Sequence, residues 1–494
     1  MRHLIAVALF VPAVALASPP GARIQPRCPD HSCESFVLAD SSGTPLNFSS
    51  PQGFGVDAIQ AMYQIDPSLG DGLTVAVVDA YGYVDLESDL AVYRAQYGLP
   101  ECKLATGCLT IYNNNGDTTP LAGDSDKGWI GETALDVQMV SAACPKCKIV
   151  VVQAATNGAG LEIGQNVARV KAVDAISNSW GGGENPNNLM QEGDYNNPGI
   201  GTFASTGDNG YDGGAIYPAT SAFVVAVGGT SFDGTTNTAW SGAGSACSVV
   251  IFKQPWAPND VTCLMRGAAD VSAIADPQTG VATYIAKQGG WQEVGGTSAA
   301  SPLVAAMFAA AGHGDARPQF IYKHRDAFLD VVGGSTGTCG GPLCTGVAGW
   351  DGPTGVGIPD QSKLVAIGNV AGAGPAIALT FPSDGATVKQ EFTIQVAPDP
   401  AALWVDVQVD GVRVERLGSD PWTTSAPNML ADGTHTVTAI AYDLDHNSQT
   451  ATAAVTIGDT APKDTGICSA GGSGSAGGMV IVGLAALTAR RRKR

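Results

Sequence analysis

The sequence predicts an α/β domain built on a parallel sheet flanked by helices, followed by a small all-β sandwich. Between about residues 52 and 372, short β-branched runs bounded by Gly or Asp alternate with helical patterns. The strand-like runs are "LTVAVVDAY" (73–81), "KIVVVQAA" (148–155), "VDAISNSW" (173–180), "GTFASTGD" (201–208) and "AFVVAVGGT" (222–230). Between them lie "GETALDVQMVSAA" (131–143) and "NVARVKAV" (166–173), which have helical spacing. Strands alternating with helices imply a parallel sheet covered on both faces, with functional groups gathered where strands end. From about 373 the texture changes to "FTIQVAP", "VDVQVDG", "HTVTAIAYD" and "ATAAVTI", separated by turn residues and free of helical spacing. That pattern reads as an antiparallel sandwich of Ig-like type over 373–458.

The ends of the chain read as targeting segments. Arg2 and His3 precede an apolar run from Leu4 to Leu16, and Ala15-Leu16-Ala17 is a small-residue cleavage site. Residues 1–17 are therefore expected to be a secretory signal, since the run is too short to span a bilayer. Residues 18–51 are rich in Pro and Ser and read as a loose leader or short pro-segment. Residues 459–494 combine Cys468, a Gly/Ser run, the short apolar "MVIVGLAALTA" and a basic "RRRKR". This end resembles the C-terminal sorting tails of some Gram-negative surface proteins.

Eleven cysteines fall into five close pairs, Cys28/Cys33, Cys102/Cys108, Cys144/Cys147, Cys247/Cys263 and Cys339/Cys344, with Cys468 left over. Local pairing in an exported chain reads as short structural disulfides. Cys144-Pro-Lys-Cys147 has a spacing that also suits zinc or redox chemistry, but no His cluster lies near it. The formal net charge of -19 argues against a nucleic-acid partner, whose phosphates demand basic patches.

The stretch "EVGGTSAASP" (293–302) places Ser298 at a Gly-rich turn before a helix. A serine nucleophile needs a base and an oxyanion stabiliser. The histidines are His3, His31, His313, His324, His435 and His446, and none sits in a recognisable catalytic motif. "VVDAYG" around Asp79 looks like a subtilisin aspartate strand, yet nothing like a subtilisin histidine segment is present. Carboxylates can take its place. Glu132 and Asp136 stand at i and i+4 on a helix whose other residues are largely apolar, so both face one side at a cost unless they are partnered or protonated. Asp208 ends a strand and enters a Gly-rich loop, where it is either an Asx-turn residue or a side chain aimed into a site.

Five segments in order, "VAVVDAYG", "GETALDVQM", "SNSWGGGE", "STGDNGY…YPATSAFVVAVGGTS" and "GGTSAASP", resemble the sedolisin family, the serine-carboxyl peptidases. The resemblance covers about 54 to 360. It implies a subtilisin-like fold over 52–372, with Ser298 as nucleophile, Glu132 as its base, Asp136 supporting Glu132, and Asp208 as oxyanion donor. Asp79 and Trp180 match positions that extend the hydrogen-bond network of the Glu; the family more often carries Glu where Asp79 stands. The segments "FLDVVGG" (328–334) and "GVAGWDGPTGVG" (346–357) resemble the family's calcium loop. They imply one structural Ca²⁺, with carboxylates from Asp330 and Asp351 and carbonyls from Val331, Val347 and Gly349. The family usually carries a large pro-domain, whereas here about 35 residues separate the signal from the core. The expectation is an exported, monomeric, acid-favoured endopeptidase acting on proteins or peptides, held at or released from the cell surface through its tail. A His-dependent subtilisin-like protease and an inactive surface adhesin on a peptidase scaffold are the alternatives.

Overall fold

The structure, a computed structural model, describes residues 21–28, 33–124, 127–368 and 371–458. The expected signal (1–17) and the expected tail with Cys468 lie outside the described residues.

Thr74–Ala80 is buried at every position, which suits its unbroken β-branched run to the middle of a sheet covered on both sides. It pairs in parallel with Lys148–Ala154 on one side and Ala175–Asn178 on the other. The sheet runs in the order Asn237–Ala239, Val224–Phe232, Gly201–Ser205, Ala175–Asn178, Thr74–Ala80, Lys148–Ala154, Leu109–Asn113. Val271–Ile274 also joins Val224–Phe232 in parallel, and Asn237–Ala239 alone is antiparallel. Two helices are central to one face: Lys127–Ala143 and Thr297–Ala310 pack against each other and against the sheet. Every residue of Thr297–Ala310 is buried, which its Ala-rich composition permits by letting strands approach closely.

The helix expected at 166–173 lies earlier, at Ala159–Arg169. Its inward face includes Gly160 and Gly164, so its periodicity is carried by glycines rather than by large apolar residues. Gly164 is needed there, because a Cβ would stand 2.6 Å from Val78 Cγ1.

A second, antiparallel sheet contains Arg23–Pro26, Phe36–Ala39, Gly290–Gly295 and Val281–Ile285, in that order. Its first two strands belong to the segment expected to be a loose leader. They are ordered because Val37, Leu38 and Ala39 are buried and Phe36–Ala39 pairs with the strand leading to Ser298. All five close cysteine pairs form disulfides, Cys144–Cys147 among them.

The C-terminal module has a three-stranded sheet (Ile377–Phe381, Thr393–Pro398, Thr423–Ser425) and a five-stranded one. The latter orders Ala386–Val388, Ser448–Ile457, Gly433–Tyr442, Trp404–Val409 and Val412–Leu417. Alternate residues such as Val437, Ala439 and Ala441 turn inward onto Val405 and Val407. The module meets the α/β domain through His446 on Asp315 (2.6 Å), Lys323 and His324 on Asp445 (2.6 and 2.7 Å), and Arg416 on the Gly199 carbonyl (3.3 Å).

Candidate active site

Ser298 is the second residue of the helix Thr297–Ala310, reached directly from the strand Gly290–Gly295. The turn requires Gly296: its φ is +116°, and a Cβ would strike the Glu34 carbonyl oxygen and Asp208 Oδ2. A residue this early in a helix has no intrahelical acceptor for its N–H, which stays available to a partner. Here that partner is the Glu34 carbonyl, at 2.9 Å. Pro302, four residues on, has no N–H to give to the Ser298 carbonyl. Ser179 Oγ lies 3.4 Å from that carbonyl, and the Ser298 hydroxyl donates to the Ser179 carbonyl at 3.3 Å. Ser179 thus braces the nucleophile from both sides.

The helix Lys127–Ala143 presents Glu132 and Asp136 to the same region, and both are fully buried. Asp79 stands at the C-terminal end of the strand Thr74–Ala80 and is 1% exposed. Burial pushes Glu132 up to about 7, while the Ser298 and Ser35 hydroxyls and the charge of Arg27 pull the other way. Burial also raises Asp136 well above the usual carboxylate range, and Asp79 and Glu132 add to it. Asp79 is raised in the same way, by burial and by Glu132. Asp136 Oδ1 accepts from Ser179 Oγ at 2.9 Å. Glu132 Oε1, Asp136 Oδ2 and both oxygens of Asp79 find no hydrogen-bond partner among the described residues. The Thr133 hydroxyl beside Asp79 donates instead to the Trp129 carbonyl, at 2.9 Å. Clustered buried acids of this kind are neutral in part and share protons.

Asp208 follows the strand Gly201–Ser205 and faces the start of the Ser298 helix. Its Oδ1 accepts from the Thr297 N–H (2.7 Å) and hydroxyl (2.8 Å), which leaves Oδ2 without a hydrogen-bond partner. Burial first, then the nearby Glu34, raise its pKa well above normal, which favours its protonated form. A carboxyl protonated at Oδ2 could donate a hydrogen bond of the kind an oxyanion requires.

The structure therefore brings Ser298, Glu132, Asp136, Asp208 and Asp79 together. Trp180 is buried nearby, but its indole N–H donates to the Val78 carbonyl at 2.9 Å, so it adds no link to the carboxylates. His313 and His324 lie elsewhere. His313 Nε2 is on the Leu364 carbonyl (3.1 Å), and its ring sits against Phe320 and His446. Burial holds it down at about 4. Three residues of the leader are at the site unexpectedly. Ser35 Oγ donates to Glu132 Oε2, the Glu34 carboxylate accepts from the Asp208 N–H at 3.1 Å, and the Arg27 charge reaches Glu132. The Cys28/Cys33 pair beside the apolar "FVLA" was the available signal that this segment is built into the fold.

The two halves of the expected calcium loop meet. Asp330 Oδ2 accepts from the Gly349 N–H at 2.9 Å, and Asp351 Oδ2 accepts from the Val347 N–H at 3.0 Å. Thr354 gives Asp351 Oδ1 two further bonds of 2.8 Å. Val331 is buried and Asp330 exposed. Burial pushes Asp351 up to about 7, and the like charge of Asp330 adds to it, a penalty a bound cation would relieve. Two carboxylates on a loop rich in carbonyls are hard oxygen donors and fit Ca²⁺. No group of three or more His, Cys, Asp or Glu gathers as a metal site among the described residues.

Residues 111–319 match the sequence model of the subtilase family of peptidases. Kumamolisin of Bacillus sp. (strain MN-32) is 27% identical over 374 residues, 67% of this chain and 65% of kumamolisin. The chain thus spans just under two thirds of that relative's length. The solved structure of Pseudomonas sedolisin, a serine-carboxyl proteinase complexed with two molecules of pseudo-iodotyrostatin, superposes with a TM-score of 0.55. It is 23% identical, and the match covers 64% of this chain and 98% of the sedolisin, which establishes the shared fold. The subtilase and kumamolisin matches agree with the sedolisin resemblance of the sequence. Residues 375–439 match a bacterial Ig domain, in agreement with the sandwich.

Proposed function

We propose that this chain is a sedolisin-type serine-carboxyl endopeptidase that hydrolyses proteins or peptides. The observation that carries the reading is a buried serine set against Glu132, with Asp136 and Asp79 behind it and both candidate histidines elsewhere. Glu132 accepts the Ser298 proton as Oγ attacks the substrate carbonyl carbon. The negative charge that forms on the carbonyl oxygen is held by the Ser298 N–H and by protonated Asp208. Glu132 then passes the proton to the departing amine as the C–N bond breaks. A water, deprotonated by the same Glu132, attacks the ester and frees Ser298. Asp136 and Asp79 position Glu132 and share its proton through their like charge. Asp208 can donate only while protonated, so activity is lost as it ionises with rising pH.

The experiment is hydrolysis of a denatured protein from about pH 3 to 8 by wild type and Glu132→Gln. A fall of roughly a thousandfold or more in the variant, with its melting temperature retained, supports the reading. Activity surviving the substitution would instead require a different base.

Asp330, Asp351 and the carbonyls of Val331, Val347 and Gly349 would hold one Ca²⁺. The ion would tie the loop halves together and take no part in the chemistry. Chelator is then expected to lower the melting temperature, and added Ca²⁺, but not Mg²⁺, to restore it. Export belongs to the same reading, supported by five disulfides, which persist in oxidising compartments. Attachment through the C-terminal tail rests on the sequence of residues 459–494.

A further inference from the structure

A crevice of about 510 Å³ opens between the α/β domain and the Ig module. Its floor lies where three neighbouring parallel strands begin. Thr74 starts Thr74–Ala80, Asp174 precedes Ala175–Asn178, and Gly199 and Ile200 precede Gly201–Ser205. Asp79, Ser179 and Asp208 stand at the other ends of the same three strands, so the crevice and Ser298 are at opposite edges of the sheet.

The walls are basic. Arg169 ends the helix Ala159–Arg169 and Lys171 follows it, while Arg413 and Arg416 come from the strand Val412–Leu417 of the Ig module. The chain as a whole carries 45 Asp and Glu against 26 Lys and Arg, yet here these four cations share the lining with Asp174. Arg169 Nη1 donates to Asn197 Oδ1 at 3.4 Å, and its buried Nε has no hydrogen-bond partner among the described residues. Lys171 Nζ is on the Gly116 carbonyl at 2.8 Å, above the Tyr112 ring. Neither side chain meets a carboxylate among the described residues. Arg416 is held by Asp406 through Nε (2.6 Å) and Nη2 (2.8 Å), and Arg413 stands 3.8 Å from the same carboxylate with half of its side chain exposed.

Asp174 places an acceptor among these donors. Its Oδ2 takes the Thr74 N–H at 2.7 Å, and its Oδ1 has no hydrogen-bond partner among the described residues. Burial raises its pKa, while the Thr74 bond and the charges of Arg416 and Arg413 pull it down, so both arginines bear on the crevice.

We propose that this crevice is a phosphate site, taking the free ion or a phosphate monoester between the two domains. Guanidinium forks match phosphate oxygens in pairs, and a tetrahedral anion can meet forks from both walls at once, which a carboxylate with two oxygens cannot. A small dianion also supplies the counter-charge that Arg169 and Arg413 lack without bringing a long polyanion against a chain of net charge -19. Near pH 6 phosphate keeps a proton on one oxygen, which Asp174 Oδ1 can accept; sulfate has no proton to give. The half-exposed Arg413 marks the mouth, where the organic part of an ester would project.

The test is calorimetric titration of the purified full chain at about pH 6 and fixed ionic strength, with sodium phosphate, sodium sulfate and glycerol phosphate in turn. Wild type is expected to bind one phosphate with a Kd on the order of 0.1–1 mM, and sulfate at least about tenfold more weakly. Arg169→Gln and Arg413→Gln should each weaken phosphate about tenfold or more, with the melting temperature in phosphate-free buffer unchanged. Hydrolysis of a denatured protein should also be unchanged in both, because neither residue is near Ser298. Asp174→Asn, whose amide can donate, should bring sulfate within about threefold of phosphate. Glycerol phosphate binding as tightly as the free ion would extend the site to esters, and its failure to bind would restrict the site to the ion. No binding of phosphate by wild type up to about 10 mM would overturn the proposal. So would an affinity unchanged in both arginine variants, or sulfate binding to wild type as tightly as phosphate, which is ionic attraction without a shaped site.

Discussion

Asp79, Glu132, Asp136 and Asp208 in the core stand in contrast to Asp315, Asp406 and Asp445 where the Ig module meets it. The core acids are at most 6% exposed, and among the described residues the cation that reaches Glu132 is Arg27. The interface acids each face a base: Asp315 meets His446, Asp406 meets Arg416 (2.6 Å) and Asp445 meets Lys323 and His324. Burial dominates the first group and raises its pKa values. For Asp445, burial also raises the pKa, but the bonds from Lys323 and His324 outweigh it and the result is lowered. The residue types are shared; the number of counter-charges differs. Burial without enough counter-charge pushes the core acids toward the protonated form, while the two cations beside Asp445 push it toward the charged one.

A third arrangement tests this division most severely. Asp270 is wholly buried like the acids around Ser298, yet Arg266 bonds it at 2.5 and 2.9 Å. Arg266→Ala strands that charge, and denaturant unfolding is expected to show a loss of about 3–5 kcal/mol. A loss under about 1 kcal/mol would mean that the buried pair contributes no more than an exposed one, and the division would fail. Next in size is Asp208→Asn. The amide donates at every pH, so kcat is expected to fall about 10²–10³-fold while the alkaline limb of the pH profile moves up or disappears. An alkaline limb left in place would assign that titration to another group.

The pH dependence of stability distinguishes the two groups by sign. Burial, with the charge of Glu132, raises Glu34 to about 8, and burial raises Glu132 to about 7. For carboxyls raised on folding, stability is present below the unfolded value of about 4.3 and is lost as pH rises through the folded value. The melting temperature is therefore expected to fall between about pH 5 and 8, and less steeply in Glu132→Gln. The smallest effect belongs to Asp445→Asn. Its partners are partly exposed, so the loss should stay within about 1 kcal/mol, with hydrolysis unchanged.

Much of this arrangement was legible in sequence. "LTVAVVDAY" is a buried strand because an unbroken β-branched run suits a sheet covered on both faces. Glu132 and Asp136 share a face because helix geometry places i and i+4 together. The leader was harder to read. Pro and Ser dominate 18–51, and the pairing of Phe36–Ala39 with Gly290–Gly295 spans some 250 positions, which no local pattern encodes. Trp180 shows the opposite limit, since the position matched but its N–H donates to the Val78 carbonyl.

The sequence by itself determined the kinds of residue available: a serine after a glycine turn, acids on a helix and at strand ends, cysteines paired at short range, and a second domain of alternating strands. These are properties of spacing and covalent geometry, which act over a few residues. Only the tertiary structure decided which acids lose their counter-charges, and hence which are pushed toward the protonated form. It also decided that Glu34 and Ser35 lie over Ser298. Burial and cross-chain pairing depend on segments far apart in sequence meeting in space, and desolvation is a property of that meeting alone.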